Sequence, residues 1–202
     1  YGNWQLCLLD ANNGEETGEF LRKKYKKEIR ISYKKVTENK GDSGNLNAAL
    51  KLAMGDYILF ADQETVPAPD ALFWVVKAVT EKKADMIYTD EDQISADGKQ
   101  HYNPKFKPDF NLFRLRENNY IGEFWAVRKE VMEQTGWFSP EYDGAQNFDM
   151  LLKCSEQAQQ IVHIPRILCH SMKDERAAAP EQQQKAWEAG KTALEDHYHR
   201  VQ

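Results

Sequence analysis

Apolar positions along the chain follow two rhythms, and the rhythms alternate. Trp4–Leu9 is a largely apolar run closed by "DANNG", which predicts a buried strand and a turn. Glu15–Lys27 is polar, with acids first and bases last, as a helix dipole favours. Ile29–Val36 alternates and predicts a strand. After the loop "TENKGDSGN", Leu46, Ala49, Leu50 and Ala53 recur at helical spacing, with Ser43 as the expected N-cap and Gly55 as the stop. Asp56–Ala61 is the next predicted strand. Pro69 opens a helix with Leu72, Val75, Val76 and Val79 on its inward face.

Ala84–Thr89 predicts a strand that runs into "DEDQISADG", where Asp97–Gly98 marks a turn. Asn103–Asn111, with Pro104 and Pro108, reads as an extended connector. Tyr120–Val127 predicts a strand, Arg128–Gln134 a short helix, and Gln146–Gln157 a helix with Phe148, Leu151 and Leu152 inward. Ile161–Ile164 and Ile167–His170 are short strands on either side of Pro165, and Glu181–Arg200 is a terminal helix. The alternation of strand and helix in the first half argues an α/β fold with a parallel sheet, and the second half is more mixed. No linker or repeat interrupts it, so one domain over 1–202 is expected.

Composition narrows the classes. A chain of 202 residues with a formal charge of −5 can bury a sizeable core and makes a poor general nucleic-acid ligand. No run reaches the roughly 18 apolar residues of a membrane span. Cys7, Cys154 and Cys169 lack metal-ligand spacing and read as core thiols in a reducing compartment. The first residues hold no signal-peptide pattern, so a cytoplasmic location is expected.

Ligands of open α/β sheets sit beyond the carboxyl ends of the strands. Polar clusters occupy those ends here: Asp10, Asp62–Glu64 and Asp90–Asp92, with His170 ending a later strand and "DGAQNFD" opening a helix. On an extended segment Asp62 and Glu64 point the same way. Spacing alone leaves two readings open, a shared Mg²⁺ or Mn²⁺ and a solvated turn before Pro67.

The stretches "NKGDSGNLNAALKLAMGDYILFADQETVPAPDAL", "MIYTDEDQI", "NPKFKPDFN", "NYIG", "YDGAQNFDMLLK" and "IVHIPRILCH", in that order, resemble the family 2 glycosyltransferases of bacterial surface-polysaccharide and O-antigen gene sets. The resemblance implies the GT-A fold, a mixed, mostly parallel sheet flanked by helices. It implies transfer of a sugar, with inversion, from a UDP-, GDP- or dTDP-sugar to a glycan or lipid-linked acceptor. It divides the domain into a nucleotide-sugar half (1–92) and an acceptor-side half with the C-terminal helix (93–202).

By the same resemblance Asp10, Ala11, Asn39, Gly41, Ser43, Asn47 and Asp62 lie beside the nucleotide sugar, although Ala11 stands where the family's base-reading Asp is usual. Asp62, Glu64 and His170 correspond to metal-binding positions, with Glu64 where Asp is usual. Asp90, Glu91 and Asp92 face the sugar and acceptor, and Trp125 and Trp137 flank that side. Asn147 takes the position of the catalytic base, and an amide cannot accept a proton at neutral pH. Asp149 and Asp143 are the candidate substitutes.

The altered positions raise an alternative expectation, a catalytically degenerate module that binds a nucleotide, a glycan or a sister transferase domain. The family's opening strand and helix have no counterpart before "NWQL", as in a domain excised from something longer. The sheet is therefore expected to hold a slot, closed by strand rearrangement or by exchange with a second copy. "RKKYKKEIR" forms a basic face suited to solvent or to the cytoplasmic membrane surface. Trp74 and Trp187 are expected in the core, and Lys105 and Lys107 in a connector able to meet a diphosphate.

Overall fold

A computed structural model describes residues 1–12, 14–36, 38–172 and 179–202. Asn13 and Thr37, in two of the predicted loops, lie outside the described residues. In chain order the elements are β1 (Leu6–Asp10), α1 (Glu16–Lys24), β2 (Ile31–Lys35), α2 (Gly41–Leu50), β3 (Tyr57–Phe60), β4 (Thr65–Pro67), α3 (Ala71–Lys82), β5 (Met86–Ile94), β6 (His101–Lys105), α4 (Leu112–Glu117), β7 (Trp125–Arg128), α5 (Lys129–Thr135), α6 (Gln146–Gln157), β8 (Ile161–Ser171) and α7 (Pro180–Val201).

β5 organises the molecule. Met86, Ile87 and Tyr88 are wholly buried, so this strand is covered on both faces. Met86 and Tyr88 pack into a cluster with Leu115, Val131 and Leu151, beneath α4, α5 and α6. Ile87 packs on the other face with Ala71, Val75 and Ala78 of α3 and Val162 of β8. Successive side chains of one strand thus seed both halves of the core.

Several elements differ from their predicted form. The buried face of α3 is Ala71, Val75 and Ala78, with Leu72, Val76 and Val79 half-buried, because the small alanines let the helix approach the sheet closely. α2 starts at Gly41, and Ser43 spends its hydroxyl on Ser139 O rather than on a cap. The predicted connector overlaps the end of β6, an edge strand that tolerates Pro104 and bends at Asn103, where φ is +54°. The strand expected from Tyr120 begins only at Trp125; Gly122, with φ +81°, keeps the preceding segment irregular.

The two strands around Pro165 are a single strand, β8. Its register against β5 runs Thr89↔Ile164 and then Asp90↔Ile167, so Pro165 and Arg166 bulge out of the ladder. Past the bulge, Asp92 stands opposite His170. Trp74 is half-buried with Arg166 stacked over its ring, and Trp187 is exposed on α7.

The sheet is mixed. Six strands run β3-β7-β5-β8-β4, with β6 beside β5, and in this sheet only the described β5–β8 pairing is parallel. β1 and β2 form a separate parallel pair. Leu6 N–H donates to Arg30 O and Asp10 O accepts from Val36 N–H, so Cys7 and Leu9 turn their backbone groups to the opposite edge. Asp56 O accepts from Lys129 N–H, so Tyr57 and Leu59 likewise face away from β7. The described residues place no strand against either edge. Gln5, just before β1, links β2 to the segment between α2 and β3: its amide donates to Ser32 Oγ and Leu52 O and accepts from Met54 N–H. Among the described residues no helix is long and apolar enough to cross a membrane. All three cysteines are free thiols.

Candidate active site

A cavity of about 430 Å³ opens beyond the carboxyl end of β3 and beside β5. Asp62, Glu91, Asp92, Lys107, Tyr120 and Glu123 are among its lining residues. Asp62 is set by its own turn: Oδ1 accepts from Glu64 N–H at 2.8 Å and from Thr65 Oγ1 at 2.9 Å. Glu91 receives Lys107 Nζ at 2.8 Å and Lys105 Nζ at 3.6 Å. Gly122 makes room for this pair, since a Cβ there would meet Glu91 Oε2 at 2.9 Å. The two lysines are thus held by a carboxylate at the cavity wall. Cys169 also lines the cavity, but burial pushes its thiol up to about 12, which rules out a thiolate nucleophile at neutral pH.

Asp90 and Asp92 are buried. Asp90 Oδ1 accepts from Lys107 N–H and meets His163 Nε2, both at 2.8 Å, and the His163 ring stacks on Tyr88. Asp92 sits between two strands, with His170 Nδ1 at 2.5 Å from β8 and His101 Nδ1 at 2.9 Å from β6. Ligand atoms of Asp92, His101 and His170 lie within 4.8 Å of one another. Two imidazoles and a carboxylate suit a first-row transition-metal cation such as Mn²⁺ better than Mg²⁺, which prefers all-oxygen shells. Among the described residues Asp62 and Glu64 do not join this three-ligand group. Asp62 shares the cavity with Asp92, whereas Glu64 is absent from its lining.

The start of α6 carries the base position. Asn147 donates its side-chain amide to the Glu123 carboxylate, which lines the cavity, and Asn147 Oδ1 is buried without a hydrogen-bond partner. The two substitute acids are employed elsewhere. Asp143 Oδ1 accepts from Ser43 N–H at 2.9 Å, at the N-terminus of α2, and its Oδ2 occupies the space a Cβ on Gly41 would need. Asp149 is buried, pairs with Lys153 at 2.7 Å, and its carboxyl is raised by burial against the pull of that lysine. Neither lines the cavity.

The residues expected beside the nucleotide form local clamps. Asp10 accepts from Tyr33 OH at 2.8 Å and Asn12 N–H at 3.0 Å, which hold its carboxyl below the usual range, and Ala11 follows it half-buried. Asn39 accepts from Gly41 N–H and from Asn45, while Asn47 exchanges two hydrogen bonds with the Phe138 backbone. The loop at Asn39–Asn47 is thereby bound to the segment that leads into α6. Trp125 is a core residue, 1% exposed and stacked on Phe60, because its place on β7 faces the helices. Trp137 is half-exposed, against Met132 and Leu50, away from the cavity.

Sequence reading passed over His101, His163 and Glu123. Glu123 left a signal, an acid inside an otherwise apolar predicted strand. His101 left none, since its role depends on a β5–β6 register that Asn103 bends.

A curled mixed sheet with helices on both faces and acids at the strand ends defines the class, a GT-A domain. Superposition agrees. S. aureus TarS in complex with UDP-GlcNAc matches with a TM-score of 0.72 at 17% identity, over 94% of this chain and 56% of that one. The mannosyltransferase PcManGT of Pyrobaculum calidifontis, in complex with GDP-Man and Mn²⁺, matches with a TM-score of 0.61 at 16% identity, over 96% of this chain and 64% of that one. The sequence pattern described as "Glycosyl transferase family 2" matches residues 1–136, and the chain belongs to that family. It is 31% identical over 201 residues to the O-antigen biosynthesis protein RfbC of Myxococcus xanthus and 35% identical over 207 residues to the uncharacterized protein y4gI of Sinorhizobium fredii. These alignments cover 98% and 100% of this chain but only 16% and 23% of the relatives.

Proposed function

We propose that this domain transfers a sugar from a nucleoside diphosphate sugar to a glycan or lipid-linked acceptor, with inversion, in surface-polysaccharide synthesis. One observation carries the reading: Asp62, Asp92 and Glu123 line one cavity at the carboxyl edge of a GT-A sheet. Relatives with this fold were crystallised with UDP-GlcNAc and with GDP-Man and Mn²⁺. Asp92, His101 and His170 would hold the metal, with Asp62 alongside. When bound there, a divalent cation neutralises charge that builds on the leaving diphosphate. Lys105 and Lys107, fixed by Glu91, add positive charge to the same wall.

Calorimetric titration with UDP, GDP and dTDP, with and without Mn²⁺, tests this reading. Binding that strengthens with Mn²⁺ is expected. Manganese itself is followed by the loss of its free-ion paramagnetic resonance signal, and His101→Ala should abolish that loss. Absence of nucleotide binding under both conditions would end the proposal.

The second reading is a degenerate module that binds a nucleotide or glycan beside a sister transferase domain of a longer polypeptide. The observation in its favour is the withdrawal of Asp143 and Asp149 into structural contacts. Nucleotide binding with no sugar release would support it.

A further inference from the structure

We infer that Glu123 is the general base of this domain and that Asn147 is its positioning residue. The inference rests on the transfer reading above and names a residue for its proton step.

Three observations converge on Glu123. Its carboxylate lines the cavity that also contains Asp62 and Asp92. It accepts a hydrogen bond from Asn147, at the first turn of α6, so a carboxylate stands one hydrogen bond away from an amide that cannot do the same work. Asp143 and Asp149, the acids beside the start of this helix, lie outside the cavity lining, held at the N-terminus of α2 and by Lys153 in the interior.

The backbone supports the placement. Glu123 lies between Gly122, whose φ of +81° turns the chain sharply, and the buried Phe124 that begins the approach to β7. The Lys107 ammonium donates to Ile121 O at 2.6 Å and to Glu91, fixing the segment one residue before that turn. Asn147 fixes the other side, from a helix whose N-terminal partial charge favours an anion nearby. A carboxylate held in this way is pre-oriented toward the cavity.

The step balances simply. The acceptor hydroxyl oxygen forms a bond to the anomeric carbon as its proton passes to the Glu123 carboxylate. The anomeric carbon–oxygen bond to the diphosphate breaks, and its electron pair leaves with the diphosphate. Glu123 then releases the proton to solvent. Asn147 neither gains nor loses a proton; its amide holds the carboxylate.

Donor hydrolysis, in which water replaces the acceptor, gives an assay that needs no acceptor. The whole chain is incubated with UDP-GlcNAc or GDP-Man and Mn²⁺, donor binding is measured by calorimetry, and free sugar by chromatography. Glu123→Gln should lower the hydrolysis rate by about 10²-fold or more, the usual scale of general-base loss, with donor affinity unchanged. The double variant E123Q/N147D returns a carboxylate to the partner position and should recover part of the rate. An unchanged rate in Glu123→Gln, or joint loss of binding and rate with no recovery in the double variant, overturns the assignment. Wild-type chain that binds donor but releases no sugar also overturns it, while leaving nucleotide binding intact. Chain that binds neither donor removes the transfer reading itself, and the assignment with it.

Discussion

Trp125 shows how one residue changes meaning between sequence and structure. In the sequence it is an aromatic on the acceptor side, a natural sugar platform. In the fold its ring stacks on Phe60 at 4.5 Å between centroids, and its Nε1 is buried without a partner. Trp125→Ala should cost about 3–5 kcal/mol, read as a shift in urea midpoint. Trp125→Phe keeps the ring stack and removes the unpaired N–H, so it should cost clearly less, and donor affinity should follow stability rather than the loss of an indole. Asp143 makes the same point from the polar side. Its type and position advertise a base, but only the fold shows Ser43 N–H, a hundred residues distant in sequence, claiming Oδ1. Partners at that separation leave no local trace.

At the scale of elements, periodicity was informative where one face of an element meets a core. The bounds of α6 were readable at both ends, because Met150, Leu151 and Cys154 bury a continuous stripe. β5 was readable as a strand and β8 as two, but their register was not, because the bulge at Pro165–Arg166 and a second irregularity at Leu168 move the ladder and together bring His170 to Asp92. The metal candidate is a product of that register, with His101 added from an edge strand whose second half, from Asn103, reads in the sequence as a connector. α6 also carries a pH prediction. Burial raises the Asp149 carboxyl in the folded state above its unfolded value. A raised acid contributes stability that is present below the ordinary carboxylate range and is lost as pH climbs through the raised value. Stability measured by urea unfolding should therefore fall across that interval. Asp149→Asn should flatten the slope; an unchanged slope would show that another group sets it.

For the whole molecule, the fold class was legible from the ordered motifs that carry the family resemblance, whereas the strand order was not, because the ladders of the main sheet join strands far apart in the sequence. β1 and β3 each carry an edge against which the described residues place no strand. Hydrogen–deuterium exchange should reveal those edges. The amides of Cys7, Leu9, Tyr57 and Leu59 should exchange much faster than those of Ile87 and Tyr88, although all lie in strands. Equal protection would mean that the two sheets are joined in solution, by rearrangement or by a second copy.

Gln5 links β2 to the segment between α2 and β3 with side-chain hydrogen bonds, and no residue of β1 or β2 belongs to either buried cluster. Cooperative melting depends on shared buried surface, and here the link runs through α2, which packs on β1 and gives Leu50 to the main cluster. The β1–β2 pair should therefore open before the β5 core, and fluorescence of a variant with Trp4 as its sole tryptophan should report a transition below the calorimetric one; coincident transitions would refute this. A single melting temperature is then a property of the chosen probe rather than of the chain.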